Sequence, residues 1–218
     1  MSNKAIIVGA SGLIGSTLLE ILLQQPDYDE VLIFVRSELP VKHTKLRQLV
    51  INFDELDQYQ NEINGHAIFC CLGTTRKKTP DLTVYKKIDH DYPVQMAEIG
   101  KANEVEQYHL ISAIGANAKS SNFYLKMKGE TEEDLKAVGM ESTFIYEPSF
   151  IEGDRKEYRP AEKIIKSIMK IANLLMLGGW RKYRSIHAST IAMAMYKQSI
   201  KKQPGVFTYT FDQIKNIA

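Results

Sequence analysis

The chain has 218 residues, and its 28 Lys plus Arg against 26 Asp plus Glu give a formal net charge of +2. A hydrophobic content of 44% with 25% charged residues is ordinary for a globular protein, so dominant disorder and low-complexity character are excluded. The small net charge gives no indication of nucleic-acid binding. At roughly 150 residues per domain, the length predicts one domain.

Few residues suggest a metal or a disulfide. Cys70 and Cys71 are adjacent, and neighbouring residues on a strand point to opposite faces, so neither a disulfide nor a Cys-based zinc site is predicted. The histidines show no metal-binding spacing, so we expect a reduced, cytoplasmic protein without a structural metal. The uncharged runs Ala5–Leu19 and Ile171–Trp180 are too short to span a bilayer, and the glycines in the first run argue against a signal peptide.

Strand-length apolar runs alternate with helical patterns along the chain. In chain order we predict strand Ala5–Val8, helix Leu13–Gln25, strands Val31–Val35, Leu49–Ile51 and His66–Leu72, helix Pro93–Ala102, strand Tyr108–Ser112, helix Phe123–Val138 and strand Ser142–Tyr146. Continuously apolar strands separated by helices are typical of a parallel sheet covered on both faces, and right-handed crossovers make such a sheet doubly wound. The predicted fold class is therefore α/β and Rossmann-like.

The pattern changes after Pro148. A basic amphipathic helix is predicted over Ala161–Met176, then a Gly-Gly-Trp turn, a helix over Ser189–Ile200 and a late strand over Val206–Thr210. We expect residues 1–218 to form a single domain in which about 149–205 make a small helical cap on the substrate side. The late strand is expected to rejoin the sheet.

A glycine-rich loop follows the first predicted strand: Gly9, Ala10, Ser11, Gly12, Leu13, Ile14 and Gly15. In a dinucleotide site one glycine allows the tight turn, one lets the backbone approach the pyrophosphate, and one lets the helix pack on the strand. The amides and the dipole at the helix start then face the phosphates. The alternative is a bare strand-to-helix turn, but the strand before the loop and the helix after it favour nucleotide binding.

The end of the second strand bears on cofactor choice. An acidic residue at this position binds the ribose 2′-hydroxyl of NAD(H), whereas an Arg suits the 2′-phosphate of NADP(H). Here Arg36 follows Phe34 and Val35, and a guanidinium can bind phosphate in a bidentate fashion. NADP(H) is favoured; the alternative is a solvated Arg36 with Glu38 reaching the ribose.

Three polar residues point to proton transfer. Tyr124 and Lys128 are four residues apart on one helix face, and a nearby ammonium is expected to lower the pKa of the Tyr124 phenol. Tyr124 would pass a proton to or from a substrate oxygen, Lys128 would also hold the nicotinamide ribose, and Ser112 would orient the substrate. A surface tyrosine with a solvated lysine is the alternative. No metal ligand is predicted.

Two stretches resemble a known family. The residues CCLGTTR at 70–76, which include the CLGTTR stretch, and SSNFY at 120–124 are similar to those of the Tat-interacting, metastasis-suppressor oxidoreductase-like proteins, a branch of atypical short-chain dehydrogenases. The resemblance covers nearly the whole chain. It implies a Rossmann domain that binds NADP(H), with an active triad of Ser112, Tyr124 and Lys128.

The resemblance also assigns further cofactor contacts. It implies that Leu72, Gly73 and Thr74 line the cofactor ribose, that Asp54 lies near the adenine, and that Pro148 lies beside the nicotinamide. This chain departs from the family in one place: relatives usually carry Arg-Pro-Gly after strand six, and here Glu147 replaces the Arg. A carboxylate in place of that Arg leaves open which group it pairs with and which substrate the site takes.

The preferred hypothesis is an NADP(H)-dependent oxidoreductase acting on a small carbonyl or alcohol substrate. The alternative is an NADP(H)-binding regulator or redox sensor that acts through a protein partner or as a homodimer and turns over little. Only 70 residues follow Pro148, which leaves little chain for a large lid. A sugar-nucleotide epimerase or dehydratase is therefore the less favoured enzyme class.

Overall fold

One parallel sheet organises the computed structural model, which describes residues 3–153, 176 and 178–218. Its strands are β1 (Lys4–Val8), β2 (Glu30–Val35), β3 (Leu46–Val50), β4 (Ala67–Cys70), β5 (Gln107–Ile111), β6 (Ser142–Tyr146) and β9 (Gly205–Tyr209); β7 (Ile151–Glu152) and β8 (Ile186–His187) form a separate pair. The order across the sheet is β3-β2-β1-β4-β5-β6-β9, with every pairing parallel. This topology confirms the predicted Rossmann-like fold and the return of the late strand.

Helices cover both faces of the sheet. They are α1 (Leu13–Gln24), α2 (Leu82–Lys86), α3 (Tyr92–Ala102), α4 (Phe123–Val138), α5 (Ala188–Ser199) and α6 (Phe211–Ile217); a π turn at Lys87–Asp91 joins α2 to α3, and 3₁₀ segments occupy Phe53–Glu62 and Gly178–Tyr183. Alternate strand residues point to opposite faces. Ile7 and Ile33 accordingly pack with α1 and α5, whereas Ile6 and Leu32 pack with α3 and α4. Burial on both faces explains why the central strands are continuously apolar.

Two strands, β3 and β4, differ from their predicted bounds by two or more residues at one end, whereas the others agree within one residue. β3 begins at Leu46, earlier than predicted. The prediction relied on a continuous apolar run, and the polar residues Arg47 and Gln48 interrupt that run because β3 is an edge strand whose side chains are partly exposed. β4 ends at Cys70 rather than Leu72. The backbone of Cys71 still bonds to β1, since its N–H donates to the carbonyl of Val8 at 2.9 Å, and the chain then turns away across the glycine loop.

The helix predicted for the cap, Ala161–Met176, lies almost entirely outside the described residues. The cap therefore stays a prediction. Part of the range assigned to it is visible as α5, which packs against α1: Ile191 and Met195 share an apolar cluster with Leu18 and Leu22. α5 thus covers the sheet rather than forming a separate lobe.

Candidate active site

The glycine loop turns the chain from β1 into α1. Gly9 has φ +84°, a conformation that L side chains rarely adopt, and the N–H of Gly12 donates to its carbonyl at 3.0 Å. A Cβ on Gly9 would lie 2.6 Å from the carbonyl oxygen of Cys71. Gly12 is the N-cap of α1 and has no side chain to occupy the first amides. The loop therefore presents backbone N–H groups at a helix start, as anion binding requires.

Gly15 has the packing role predicted for the third glycine. A Cβ at this position would lie 2.2 Å from the carbonyl oxygen of Gly9. Helix and loop therefore touch backbone to backbone, and no larger residue fits without moving α1. This contact sets how close the helix start comes to the carboxyl edge of the sheet, where ligands bind in this topology.

Two adjoining cavities open at that edge. The first, of about 600 Å³, extends from the glycine loop to the ends of β2 and β3 and includes Arg36. The second, of about 400 Å³, extends from the same loop to the start of α4. Seven residues line both cavities: Ser11, Gly12, Cys71, Leu72, Gly73, Thr74 and Lys78. The cleft is thus continuous across the glycine loop, with an elongated shape that suits a dinucleotide.

Most of the predicted cofactor residues line this cleft. Gly9 and Arg36 line the first cavity, Leu13 and Ile14 line the second, and five more of the predicted residues line both: Ser11, Gly12, Leu72, Gly73 and Thr74. Gly15 lines neither, in keeping with its packing role.

Asp54 and Pro148 occupy other places in the described part of the chain. The Asp54 carboxylate accepts hydrogen bonds from Lys87 Nζ and the Tyr92 hydroxyl, both at 2.7 Å, and these bonds hold its pKa below the usual value. Its neighbours Asn52 and Phe53 line the first cavity instead. Pro148 is buried, and its carbonyl accepts the N–H of Ile114 at 3.0 Å. Neither residue contributes to the cavity walls in the described region.

The start of α4 is fixed firmly beside the cleft. The Asn122 side chain caps the helix by accepting the N–H groups of Tyr124 and Leu125 at 3.0 and 3.2 Å. At Gly129 an added Cβ would lie 2.1 Å from the backbone nitrogen of Ala118, so helix and preceding loop are in backbone contact. Ser112, Tyr124 and Lys128 all line the second cavity. The structure therefore brings the three predicted residues to the glycine-loop cleft.

Lys128 is held by a residue that sequence reasoning missed. Its Nζ lies 3.1 Å from Asp89 Oδ1 and 3.4 Å from the carbonyl oxygen of Ile111, and both charged side chains are buried. The other oxygen, Asp89 Oδ2, accepts the N–H of Thr74 at 2.8 Å. Burial would lower the pKa of Lys128, but Asp89 and the Tyr124 phenol outweigh it and raise that pKa. Asp89 thus connects Lys128 to the loop after β4 that contains Thr74.

The signal for Asp89 was present but weak. It lies within a charged stretch, Lys86–Asp91, that has the composition of a solvated face. The π turn at Lys87–Asp91 directs Asp89 into the protein, and such turns occur often at functional sites.

The phenol of Tyr124 does not have the lowered pKa that we expected. Burial raises the pKa of Tyr124, Lys128 opposes that rise, and Asp89 adds to it. The expectation counted the ammonium and overlooked burial, which is the largest influence, together with the smaller effect of the Asp89 carboxylate. Tyr124 is therefore a protonated phenol at neutral pH, the form that donates.

Ser112 has a second unexpected partner. Its buried hydroxyl donates to Glu132 Oε1 at 2.5 Å, and its N–H donates to the carbonyl of Tyr146 at 2.8 Å. Glu132 lies four residues after Lys128 on α4 and is buried. That spacing on one helix face was the signal that would have found it.

Other candidate groups take structural places. Cys70 and Cys71 are not disulfide-bonded, and burial raises the pKa of both thiols, which leaves them poor nucleophiles. His187 Nε2 lies 3.1 Å from Glu152 Oε2, away from both cavity walls. Within residues 3–153, 176 and 178–218, no group of three His, Cys, Asp or Glu side chains could hold a metal ion.

Comparison with known proteins gives consistent matches. A family model described as NAD(P)H-binding matches residues 9–170. Protein HTATIP2 of Rattus norvegicus is 30% identical over 94% of this chain and 85% of its own length. The mitochondrial protein fmp52 of Aspergillus fumigatus is 35% identical over 94% of this chain and 90% of its own. The mitochondrial FMP52 of Saccharomyces cerevisiae is 30% identical over 91% and 84%.

Solved structures share the fold at low identity. A UDP-N-acetylglucosamine 4-epimerase from Methanobrevibacter ruminantium has a TM-score of 0.70 and 16% identity, covering 99% of this chain and 81% of its own. MoeE5 in complex with UDP-glucuronic acid and NAD has a TM-score of 0.71 and 16% identity, covering 94% and 75%. At such identities the likeness shows the fold alone.

These relatives correct one expectation. The expected cytoplasmic location is contradicted, because fungal relatives that are 30–35% identical to this chain are named as mitochondrial proteins. Reduced cysteines do not separate the two compartments. In the part of the chain that the structure describes, no helix is long and apolar enough to cross a membrane.

Proposed function

The chain belongs to the NAD(P)H-binding family, in the atypical short-chain dehydrogenase branch together with HTATIP2 and FMP52, and we propose that it is an NADP(H)-dependent oxidoreductase of a small carbonyl or alcohol compound. Family membership confirms the resemblance carried by the CLGTTR and SSNFY stretches. The observation that supports the proposed activity is that Ser112, Tyr124 and Lys128 line the same cleft as the glycine loop.

The residues of the cleft fit a pyridine dinucleotide. Any side chain on Gly9 would collide with the Cys71 backbone, so the cleft wall at Gly9 consists of backbone atoms alone. The amides that begin α1 suit the diphosphate, and the loop Leu72–Thr74 suits a ribose. Lys128 would hold the second ribose. When bound, the cofactor supplies or accepts the hydride.

Proton transfer is the part of the reaction that this chain performs. In the reductive direction Tyr124 donates its phenolic proton to the substrate oxygen, and its protonated state in the structure suits that role. The Lys128 ammonium stabilises the phenolate that is left. Ser112 orients the substrate oxygen. Oxidation of an alcohol uses the same groups in reverse.

The preference for NADP(H) rests on the first cavity. Arg36 lines it, whereas Glu38, the alternative ribose ligand, is exposed and does not line either cavity within the described residues. An Arg at this site suits a 2′-phosphate, and no carboxylate in the described wall suits the hydroxyl.

Arg36→Asp is expected to weaken NADPH binding by about 10- to 100-fold, because a charge-assisted phosphate contact contributes about 1.5–3 kcal/mol. NADH affinity should stay the same or rise. Isothermal titration with both nucleotides measures this. Lys215→Asp, an equal charge change on α6 away from the cavities, is the control. Unchanged selectivity would remove Arg36 from the 2′-phosphate site.

The oxidoreductase itself is tested by NADPH titration followed by a carbonyl substrate panel. Binding with turnover of at least one carbonyl is the expected result. Binding without any turnover would favour the regulator instead. Absence of binding to either reduced nucleotide at millimolar concentration would overturn both functions.

A further inference from the structure

Ser112 is held by a buried carboxylate that the proposed mechanism does not use. The Ser112 hydroxyl donates to Glu132 Oε1 at 2.5 Å, and both side chains are buried. The other oxygen, Glu132 Oε2, faces the Lys136 ammonium, with Nζ at 3.6 Å. An ammonium has protons to donate and no lone pair to accept with, and the serine hydroxyl donates as well. Both contacts are therefore those of an ionised carboxylate.

The charges around Glu132 bear on the same point. Burial raises the pKa of Glu132, and the Ser112 hydroxyl together with the ammonium groups of Lys136 and Lys128 opposes that rise. Each oxygen of the carboxylate faces a donor, as a negative charge requires in a buried position. Glu132 thus takes the proton of the Ser112 hydroxyl in its hydrogen bond.

This bond limits what Ser112 can offer to a ligand. A serine hydroxyl has one proton and two lone pairs. Ser112 lines the second cavity, and because its proton points to Glu132, only its lone pairs remain for a ligand there. Ser112 is then a hydrogen-bond acceptor in the cavity wall, whereas the protonated phenol of Tyr124 is a donor.

The acceptor and the donor belong to the same part of that wall. Ser112 follows Ile111, whose carbonyl oxygen lies 3.4 Å from Lys128 Nζ. Tyr124 is about one helical turn before Lys128 on α4. A ligand whose carbonyl oxygen meets the Tyr124 phenol can therefore offer a group on its neighbouring carbon to Ser112.

We propose that Glu132 is a positioning residue that makes Ser112 a hydrogen-bond acceptor, and that the site therefore selects carbonyl compounds with a hydroxyl group on the carbon next to the carbonyl. The inference rests on the proposed oxidoreductase function and names its substrate class. Tyr124 donates to the carbonyl oxygen, while the substrate hydroxyl donates to Ser112 and keeps its proton throughout the reaction. A ketone without that hydroxyl leaves a buried acceptor unpaired, which weakens binding.

Selective binding can be measured without turnover. Hydroxyacetone and butanone differ in a hydroxyl against a methyl group of similar size, and each is titrated calorimetrically into the full chain saturated with NADP⁺, which has no hydride to give. The wild type should bind hydroxyacetone about 10-fold more tightly, and Ser112→Ala should bind the two ketones alike within about twofold. Equal affinities in the wild type would overturn the inference, whatever the turnover.

Glu132→Gln separates positioning from a structural role. Because the Lys136 ammonium only donates, it keeps the amide oxygen on its own side, and the amide nitrogen takes the place beside Ser112 and donates to Oγ. The serine proton is then free for a ligand. The preference for hydroxyacetone should fall by about fivefold or more, with butanone bound more tightly than by the wild type.

Glu133→Gln is the matched control, since Glu133 is exposed on the same helix, and it should keep the wild-type preference. A structural role of Glu132 would weaken the binding of both ketones equally, and that result in Glu132→Gln would overturn the inference. The comparison of the wild type with Ser112→Ala decides the matter by itself if Glu132→Gln does not fold.

Reduction of the two ketones with NADPH gives the kinetic counterpart. The ratio of their kcat/KM values should follow the ratio of affinities across the same proteins. The hydroxyl also activates the carbonyl electronically, but this contribution is the same in every variant and cancels in the comparison. Selective binding without turnover of any carbonyl would uphold the role of Glu132 and count against the oxidoreductase, so the two failures are distinguishable.

Discussion

Tyr124→Phe should lower kcat for carbonyl reduction by about 10²- to 10⁴-fold, the usual contribution of a positioned general acid. Tyr124 lines the second cavity next to Lys128, and its phenol is protonated at neutral pH because its pKa lies above the usual value of about 10. Phenylalanine keeps the ring and removes only the proton donor. The affinity for NADPH should therefore stay within about threefold, because the glycine loop and Arg36 are untouched.

The measurement is the steady-state rate of reduction of a carbonyl substrate from the panel, together with calorimetric titration of NADPH. Tyr183→Phe is the control, since that tyrosine is equally exposed, at 39% against 40%, and lines neither cavity. Turnover that survives in Tyr124→Phe would show that another group delivers the proton. Loss of NADPH binding in the same variant would show that Tyr124 binds the cofactor and is not the proton donor.

Asp89→Asn should lower the free energy of unfolding by about 3–5 kcal/mol, since removing one partner leaves the buried Lys128 ammonium without its counter-charge. Both side chains are nearly inaccessible, and their charged atoms are 3.1 Å apart. Asparagine retains an oxygen that can accept the Thr74 N–H, so the decrease in the free energy of unfolding reflects mainly the removed negative charge. Turnover should fall as well, because Lys128 is no longer fixed beside Tyr124.

Urea unfolding of four proteins measures the free energy of the interaction between Asp89 and Lys128 apart from the effect of each residue alone. The four proteins are the wild type, Asp89→Asn, Lys128→Met and the double variant. The double variant should be more stable than either single variant, because neither buried charge is then left alone. Asp134→Asn, a change to an exposed carboxylate, is the control and should cost less than about 1 kcal/mol. Strict additivity of the two single changes would contradict the coupling.

The sequence predicts the framework well because the framework depends on periodicity. β6 and α4 have the predicted bounds: Ser142–Tyr146 is buried on both faces, and α4 runs from the Asn122 cap to Gly139 in the left-handed conformation. The glycine loop could be predicted equally well, because the spacing of its glycines reflects contacts within the local backbone. Each of these features is settled by residues that are neighbours in the chain.

The electrostatics of the site were not predictable in the same way. Asp89 and Lys128 are 39 positions apart in the sequence, and only the π turn directs Asp89 inward to meet the lysine. Glu132 finds Ser112 because β5 and α4 pack side by side. The expected direction of the Tyr124 pKa was wrong mainly because burial of the phenol, the largest influence on that pKa, arises only when the chain folds, and Asp89 adds to it.

The backbone contact at Gly129 has a consequence for redesign. Because α4 rests on the Ala118 backbone with no side chain between them, there is no compressible layer to absorb a change in loop length. An insertion between β5 and α4 would displace the whole helix, and the acid–base machinery would shift with it. Attempts to broaden substrate range by grafting loops should therefore spare this connection and alter another rim of the cleft.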